Sequence, residues 1–345
     1  MMKQWIKKSL FLLIFILIFI GSFNYIMDPF WCFNQQHHFN QFQKEFNERQ
    51  QKSYKIYFSQ ENYDTLLIGS SRTTYTNYHD FEPKRVFNYA VSGIWPKEYD
   101  IFIDFAINDL HQPIKTIIIG ADFSSYLTNK DSHYSRSKEI INNTKSPIYR
   151  WKTLLSYDSL TISVRSFRNT FTLAPNVAYY NSDNIKIRPK NTPDKLNETQ
   201  YSVLEYAKSG HLSQPDPEFH SIMQDLKKKY SNQQFILYTT PVSLPLMKTM
   251  IQVGHYPYYE DWLRELVSIY GRVYHFMYIN PVTMNYYENF SDSNHPYPAT
   301  NTLIVKKLMS KNTNDLNTTF GMILTADNID DQLKKLKILN HIDNK

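Results

Sequence analysis

The sequence predicts an α/β protein: a doubly wound, mostly parallel, flavodoxin-like sheet of five strands, with a long insertion and an N-terminal transmembrane helix. Three observations predict this fold. Short β-rich apolar runs end at turn residues, amphipathic segments of helix length separate them, and a long apolar run lies near the N-terminus. The composition is globular, because 42% of the 345 residues are hydrophobic and 16% are aromatic. This aromatic content excludes intrinsic disorder.

The short apolar runs define the strands. The predicted strands are Thr65–Ile68, Val86–Ala90, Thr116–Ile119, Phe235–Tyr238 and Val273–Tyr278. Short runs rich in β-branched and aromatic side chains are typical of buried parallel strands. The predicted helices between them are Trp95–Leu110, Pro217–Tyr230 and Tyr258–Tyr270. The alternation of strand and helix predicts the doubly wound sheet.

The N-terminus predicts a membrane anchor over residues 9–27. Leu10–Ile20 is an unbroken apolar run, and with its continuation the segment approaches the roughly 20 residues that a spanning helix needs. Lys3, Lys7 and Lys8 precede it without any acidic residue, and the positive-inside rule keeps them in the cytoplasm. We therefore expect a single-pass protein of the inner (cytoplasmic) membrane whose main domain is periplasmic or extracellular. A cleaved signal peptide and a buried core helix remain alternatives.

The remainder of the chain divides unevenly. The predicted segments are a cytoplasmic basic stub at 1–8, the anchor at 9–27 and a linker at 28–61. An α/β domain follows at 62–310 with an insertion at 124–215, and then a polar tail at 311–345 with a short helix at Asp327–Leu339. A connection as long as 124–215 is uncommon unless it is an insertion or a lid. Within it, residues 148–170 look helical and residues 176–200 look like loop. Its many aromatic residues either stack on sugar rings or pack as ordinary core.

Charge and cysteine content exclude several classes of protein. The net charge is +6, and the three N-terminal lysines supply half of it, so the chain lacks the concentrated basic face of a nucleic-acid-binding protein. Cys32 is the single cysteine, which excludes an internal disulfide framework and a cysteine-based zinc site. No segment predicts a cofactor or a metal ion.

Glycines point to one edge of the sheet. The chain has only 8 glycines, and Gly69, Gly93 and Gly120 each follow one of the first three predicted strands. In an open α/β sheet, ligands bind at the carboxyl ends of the strands. Glycine there supplies a positive φ or allows a close backbone approach. The alternative is that these are ordinary strand-to-helix turns.

Serine, histidine and aspartate follow strands at that same edge. A serine of Gly69-Ser70-Ser71-Arg72 lies in a strand-to-helix turn, where backbone N–H groups can stabilise an oxyanion. A serine needs a base within hydrogen-bond reach to act as a nucleophile. Asp292 and His295 follow the last predicted strand with the spacing Asp-x-x-His. That spacing lets the carboxylate hold one imidazole nitrogen while the other faces the serine.

These blocks carry a resemblance to a known family. Gly69-Ser70-Ser71-Arg72, Asn88–Gly93 and Asp292-x-x-His295 occur in the order of the SGNH (GDSL-type) hydrolase superfamily, which the chain resembles over 62–125 and 232–308. The resemblance implies Ser71 as nucleophile, His295 as base and Asp292 as the residue that orients the base. It also implies an oxyanion hole made by the N–H groups of Ser71 and Gly93. With its anchor, the chain is similar to envelope proteins of the DltD-like and alginate-acetylation-type groups, which acylate or deacylate polysaccharides.

Two positions depart from the family pattern. The third block of the family is Gly-x-Asn-Asp, and its Asn completes the oxyanion hole, but here Asp122 stands at that place. An ionised Asp122 would repel an oxyanion, so it would contribute only if protonated, unless it binds Arg72 instead. Loss of one oxyanion donor typically slows catalysis by about 10²–10³. Arg72 either binds a substrate carboxylate or phosphate, pairs with Asp122, or is solvated. Ser70 replaces the Asp of the first block.

The sequence and the resemblance together lead to one expected function and two alternatives. We expect a membrane-anchored serine esterase or O-acyltransferase that acts on acyl esters of cell-envelope glycans. Its partners would be an acylated polysaccharide or another envelope ester, the lipid bilayer through residues 9–27, and a membrane acyltransferase, but no nucleic acid. One alternative is a non-catalytic glycan-binding or assembly protein with an impaired oxyanion hole. The other is a structural partner of a membrane acyltransferase that docks through the anchor.

Overall fold

The computed structural model describes residues 2–44, 47–59, 61–127, 133–172, 177–190, 195–210, 213–310 and 320–339. It shows a mixed α/β fold with a mostly parallel sheet and one apolar N-terminal helix. The strands are β1 (Thr65–Gly69), β2 (Val86–Asn88), β3 (Thr116–Ala121), β4 (Tyr179–Tyr180), β5 (Lys186–Ile187), β6 (Gln234–Thr239), β7 (Arg272–His275) and β8 (Met322–Thr325).

Helices surround and connect these strands. The α-helices are α1 (Met2–Met27), α2 (Glu48–Phe58), α3 (Ser71–Thr74), α4 (Pro96–Asp104), α5 (Tyr134–Thr144), α6 (Tyr149–Thr153), α7 (Tyr157–Thr172), α8 (Lys195–Ser209), α9 (Phe219–Lys229), α10 (Leu244–Gln252), α11 (Tyr256–Tyr270), α12 (Pro281–Met284), α13 (Tyr286–Asn289), α14 (Pro298–Met309) and α15 (Ile329–Leu339). Short 3₁₀ turns occur at His38–Asn40, Tyr78–Phe81 and Phe123–Ser125, and a π-helical turn at Phe105–Asp109 extends α4.

The chain forms two compact units. Residues 1–61 and 136–187 make one, which we call the N-terminal unit, and residues 62–135 and 188–345 make the other, which we call the sheet unit. The sheet unit contains the strands β1, β2, β3, β6, β7 and β8 in one sheet. The N-terminal unit contains α1, α2, α6, α7 and the small β4–β5 ladder.

The sheet has six strands in the described part of the chain, in the order β2-β1-β3-β6-β7-β8. Neighbouring strands are parallel from β2 through β7, and β8 runs antiparallel to β7. The prediction of five strands was therefore wrong by one. The additional strand, Met322–Thr325, lies in the predicted polar tail, where four residues between polar segments give too short an apolar run to indicate a strand. The helix predicted at the end of that tail is present as α15, whereas residues 311–319 and 340–345 lie outside the described residues.

The strands β2 and β7 are shorter than predicted, and each ends early for a different reason. After β2 the backbone still follows β1, because Tyr89 N–H donates to the Leu67 carbonyl and Val91 N–H donates to the Gly69 carbonyl, both at 2.9 Å. After β7 the chain leaves the sheet, because the Thr239 hydroxyl accepts the N–H of Phe276 at 2.9 Å. Side-chain capture of a backbone donor thus ends the ladder that the apolar run would have continued.

The N-terminal unit has a core with many polar side chains. Tyr180 of β4 bridges to the preceding part of the unit, since its carbonyl accepts from Gln43 N at 3.0 Å and its hydroxyl donates to Glu48 at 2.9 Å. Lys186 of β5 pairs with the same Glu48 carboxylate at 3.0 Å. The region predicted as loop around 176–200 therefore contains the β4–β5 ladder and the start of α8, although residues 176 and 191–194 lie outside the described residues.

Candidate active site

Ser71 lies at the turn where β1 passes into α3. The strand ends at Gly69, and Ser70 caps the helix by accepting the Arg72 N–H with its hydroxyl at 3.3 Å. Ser71 is the first helical residue, and its hydroxyl lies 2.8 Å from Nε2 of His295. The two residues are 224 positions apart in the chain, so the fold brings together the two sites that the sequence placed at one sheet edge.

Asp292 holds the other side of the imidazole. His295 Nδ1 lies 2.8 Å from Oδ2 and 3.0 Å from Oδ1 of Asp292. The Oδ1 atom also accepts the backbone N–H groups of Asn294 at 2.7 Å and His295 at 2.9 Å. Burial alone would raise the pKa of Asp292, but the hydrogen bond and charge of His295 together with these N–H donors outweigh burial and hold the pKa well below its usual range. Asp292 is therefore an anion at neutral pH.

This anion fixes the imidazole for proton transfer. Because the Asp292 carboxylate accepts only, Nδ1 of His295 carries the hydrogen, and Nε2 presents its lone pair to the Ser71 hydroxyl. The Tyr75 ring packs edge-on against the imidazole, with the ring centroids 6.2 Å apart. The side chain of His295 keeps 29% of its surface exposed. The His295 ring is therefore accessible from solvent beside the Ser71 hydroxyl.

The loop that carries His295 is held in place from within. Phe290 and Pro296 form an antiparallel bridge across its base, and Ser291 N–H donates to the His295 carbonyl at 2.8 Å. Ser293 at its tip accepts the Ser243 N–H through its carbonyl at 3.0 Å. Its hydroxyl also bonds the Ser202 hydroxyl of α8. These contacts hold the loop, and with it His295, in place.

Arg72 connects three loops at the edge of the sheet. Its guanidinium donates through Nε to the Asn294 carbonyl at 3.1 Å and through Nη2 to the Asn294 side-chain oxygen at 2.6 Å. Its Nη1 atom lies 3.0 Å from Oδ2 of Asp122 and 3.3 Å from the Ser124 hydroxyl. Among the alternatives left open by the sequence, the structure has Arg72 paired with Asp122 rather than solvated. Arg72 thus connects the loop that carries His295 to the end of β3.

Asp122 is an acceptor at both of its oxygens. One oxygen binds Arg72, and the other accepts the hydroxyl of Thr240, which follows β6. The residue is buried, with 4% of its surface exposed. In this arrangement Asp122 offers no donor to an oxyanion, and Arg72 balances its negative charge.

Gly69 and Gly120 allow a close approach of α3 to the sheet. They are register partners in β1 and β3, and a Cβ atom on either would lie 2.3 or 2.2 Å from the Thr73 hydroxyl oxygen. Thr73 in turn shares a hydrogen bond of 3.1 Å with the Tyr238 hydroxyl. These two glycines therefore let the short helix that begins at Ser71 pack closely against the strands.

Gly93 has a different role, which is conformational. Its φ is +64°, in the left-handed region that other residues adopt reluctantly, and it is exposed beyond β2. Asn88 holds the backbone segment that leads to Gly93. Its side-chain amide donates to the Thr76 carbonyl at 2.9 Å, and its side-chain oxygen accepts the Ala90 N–H at 3.1 Å. The second block of the resemblance thus lies beside β1, the strand that leads to Ser71.

Several residues of this site carried no signal in the sequence. They are Tyr75, Ser202, Thr240, Ser243 and Asn294. Asn294 lies inside the Asp-x-x-His spacing and Thr240 directly follows a strand, so position alone could have marked these two. Among the described residues, no group of three or more His, Cys, Asp or Glu side chains could hold a metal ion.

Comparisons with known proteins add little to this geometry. No protein-family model matches the chain, and no curated protein matches it. Among solved structures, the chain is similar to a Streptococcus pneumonia protein that is provisionally described as a platelet activating factor. The likeness covers 75% of this chain and 89% of that chain, at 12% sequence identity and a TM-score of 0.33. A score this low carries no argument about fold or function.

Proposed function

We propose that this protein is a membrane-anchored, SGNH-type serine esterase or O-acyltransferase that acts on acyl esters of cell-envelope glycans. The observation that carries the proposal is the continuous relay from the Ser71 hydroxyl through the His295 ring to the Asp292 carboxylate, with contacts of 2.8 Å on both sides of the imidazole. Nucleophile, base and orienting acid within hydrogen-bond reach form the arrangement that activates a serine.

Each residue has a role in the proposed reaction. His295 takes the Ser71 proton as the serine oxygen attacks the acyl carbonyl, and the N–H groups of Ser71 and Gly93 receive the negative charge on the carbonyl oxygen. His295 then gives its proton to the departing alcohol, which leaves an acyl ester on Ser71. Water or a second hydroxyl, deprotonated by His295, attacks the acyl carbonyl, and His295 then returns that proton to the Ser71 oxygen as its bond to the acyl group breaks. The Arg72–Asp122 pair supports this step by neutralising the carboxylate that would otherwise repel the oxyanion.

The apolar helix supports the anchored location. Within α1, Lys3–Met27 is apolar and long enough to cross a membrane, and little of it is buried inside the protein. A core helix would be mostly buried, so a signal sequence or a spanning helix fits better. We propose the spanning helix, with its three lysines cytoplasmic and the remainder of the chain periplasmic or extracellular. Envelope glycans carrying acyl esters, and a membrane acyltransferase that loads them, are the partners proposed for that side.

A fluorophosphonate probe tests the nucleophile directly. We expect the full-length protein in detergent to be labelled, Ser71→Ala and His295→Ala to lose labelling, and Asp292→Asn to label about 10⁴-fold more slowly because the imidazole tautomer is no longer fixed. Ser221→Ala is the matched control, since this exposed serine lies on α9 and donates to the carbonyl of Glu218, the residue that precedes the helix. Undiminished labelling of Ser71→Ala would rule out the assignment.

Asp122 favours a second candidate, a non-catalytic glycan-binding or assembly protein with an impaired oxyanion hole. Its carboxylate stands where the resembled family has an amide donor, and both of its oxygens are already occupied as acceptors. In that case Ser71→Ala and His295→Ala would retain the cellular function, and isothermal titration would show unchanged binding of an acylated glycan. Loss of function in both variants supports the enzyme instead.

A further inference from the structure

We propose that the N-terminal unit rests on the lipid bilayer through an exposed apolar patch next to the membrane anchor. The patch consists of Ile148, Trp151, Leu155, Tyr157, Val164, Phe167 and Phe171. This inference rests on the proposed spanning helix α1 but not on any catalytic role. The partner that covers the patch is the lipid surface.

The first argument is the inverted polarity of α7. This helix buries its small hydroxyl side chains, with Ser163 and Ser166 at 0% and 2% exposure, whereas Phe171 is 67% exposed. Val164, Phe167 and Phe171 recur at the spacing of one helix face. A helix in water buries its large apolar side chains, and single exposed ones are ordinary, but an exposed apolar stripe beside a buried face of small hydroxyl side chains indicates an apolar surrounding.

The second argument is the position of the patch beside the end of α1. The Asn24 amide of α1 donates to the Leu154 carbonyl at 2.8 Å, and a Cβ atom on Gly21 would lie 3.6 Å from Leu155. Phe23 packs edge-on against Phe167, with ring centroids 6.1 Å apart. Leu155 and Phe167 of the patch therefore lie against the last two turns of α1, where a spanning helix leaves the membrane.

The third argument is the composition of the surrounding surface. Tryptophan and tyrosine concentrate at membrane–water interfaces, and here Trp151 and Tyr157 are 50% and 82% exposed. Residues 145–172 contain five basic side chains and one acidic one, Asp158. The basic residues are Lys145, Arg150, Lys152, Arg165 and Arg168. Cations around an apolar patch favour an anionic lipid surface, with the apolar side chains reaching roughly 5–10 Å into the headgroup boundary.

Contacts inside the unit hold the patch rigidly. The Arg150 guanidinium lies over the rings of Phe58 at 4.9 Å and Trp151 at 5.0 Å, and the Trp151 ring lies 5.4 Å from that of Phe33. The Phe33 ring lies 4.8 Å from that of Tyr25, at the end of α1. Packed aromatic rings thus connect the end of α1 to the patch. Insertion of α1 in the bilayer would therefore also place the patch at the membrane surface.

Site-directed spin labelling tests this inference on the full chain. Cys32 is the single cysteine, so a Cys32→Ser background accepts one label at a time. Labels are placed by Trp151→Cys and Phe171→Cys in the patch, by Glu139→Cys on the exposed polar side of α5, and by Ile14→Cys in the middle of α1. The protein is reconstituted into nanodiscs of phosphatidylglycerol and phosphatidylcholine. Collision rates with oxygen and with a water-soluble nickel chelate then report depth.

We expect the oxygen-to-nickel ratio at 151 and 171 to exceed that at 139 several-fold and to lie below that at 14. Aqueous ratios at both 151 and 171, with a lipid ratio at 14, would overturn the inference while leaving the anchor intact. An aqueous ratio at 14 would refute the anchor and the inference with it, while the fluorophosphonate result would stand unaffected. Low collision rates with both reagents at 151 and 171 would indicate a protein contact and would also overturn it.

Discussion

Arg72 shows how one side chain can fix the geometry of a whole site. It follows Ser71, the proposed nucleophile, and its guanidinium contacts the loop after β3 through Asp122 and the loop of His295 through Asn294. With 11% of its side chain exposed, and 5% for Asp122, the ion pair is largely withdrawn from water. Breaking a buried pair from one side leaves an uncompensated charge, which costs more than the pair itself contributes.

At this scale we predict that Arg72→Gln lowers the free energy of unfolding by about 3 kcal/mol, because it leaves Asp122 buried and unpaired. The double variant Arg72→Gln/Asp122→Asn should recover part of the loss. Urea denaturation of the full chain measures both values. Arg264→Gln is the control, since its pair with Asp330 is exposed and should contribute less than about 1 kcal/mol. A double variant no more stable than Arg72→Gln would contradict the explanation.

The residues of the site differ in how well the sequence predicted them. Ser71, His295 and Asp292 could be placed together because each follows a predicted strand, and the ends of parallel strands meet at one edge. The pairing of Arg72 with Asp122 was one of three alternatives, since spacing alone does not say which polar groups on neighbouring loops will meet. Contacts such as Tyr75 with His295 had no local signal, because they depend on how the loops pack.

At the scale of elements, β7 carries a buried histidine that the proposed mechanism does not use. The His275 ring lies between the Thr239 hydroxyl, 2.9 Å from Nδ1, and the Tyr259 hydroxyl, 2.7 Å from Nε2. Tyr259 donates its own hydrogen to the Met277 carbonyl, so Nε2 of His275 donates to Tyr259 and Nδ1 accepts from Thr239. Burial lowers the pKa of His275 to about 3, because the charged ring would lose its hydration.

This histidine makes the stability of the sheet unit depend on pH. The unfolded chain binds a proton at His275 below about pH 6.5 and the folded chain does not until about pH 3, so stability present above pH 6.5 is lost as the pH falls toward 3. We predict that His275→Asn reduces this loss by up to about 1.4 kcal/mol per pH unit. Urea unfolding at several pH values measures the slope. Val273→Ala, a destabilising change in the same strand without a titrating group, should keep the slope of the original protein.

Strands and helices with long hydrophobic patterns were predicted more accurately from the sequence than those with short ones. The strands β1, β3 and β6 each lie between two neighbouring strands, and their apolar runs were clear in the sequence. The strand β8 has four residues at an edge, and the β4–β5 ladder has two residues in each strand, which is too short for any periodicity. The α7 helix was expected, but periodicity does not say which face is buried, so its exposed apolar side could not be anticipated.

At the scale of the whole molecule, the proposed orientation of the chain rests on the three lysines that precede the apolar helix. We predict that replacing Lys3, Lys7 and Lys8 with Gln markedly lowers the fraction of chains whose main domain lies outside the cytoplasm, because the positive-inside bias is lost. Protease added to intact spheroplasts of a bacterial host measures that fraction. Replacing three lysines at the end of α9 (residues 227–229) is the matched control and should leave orientation unchanged. Equal digestion of all three proteins would contradict the prediction.

The polarity of α7 has a practical consequence for anyone who prepares this protein. We do not expect removal of residues 1–27 to produce a chain that is soluble and monodisperse without detergent. The cut would uncover the side of α7 that α1 covers, and the stripe ending at Phe171 would still be bare. We expect such a shortened chain to need detergent or to self-associate, which light scattering would reveal.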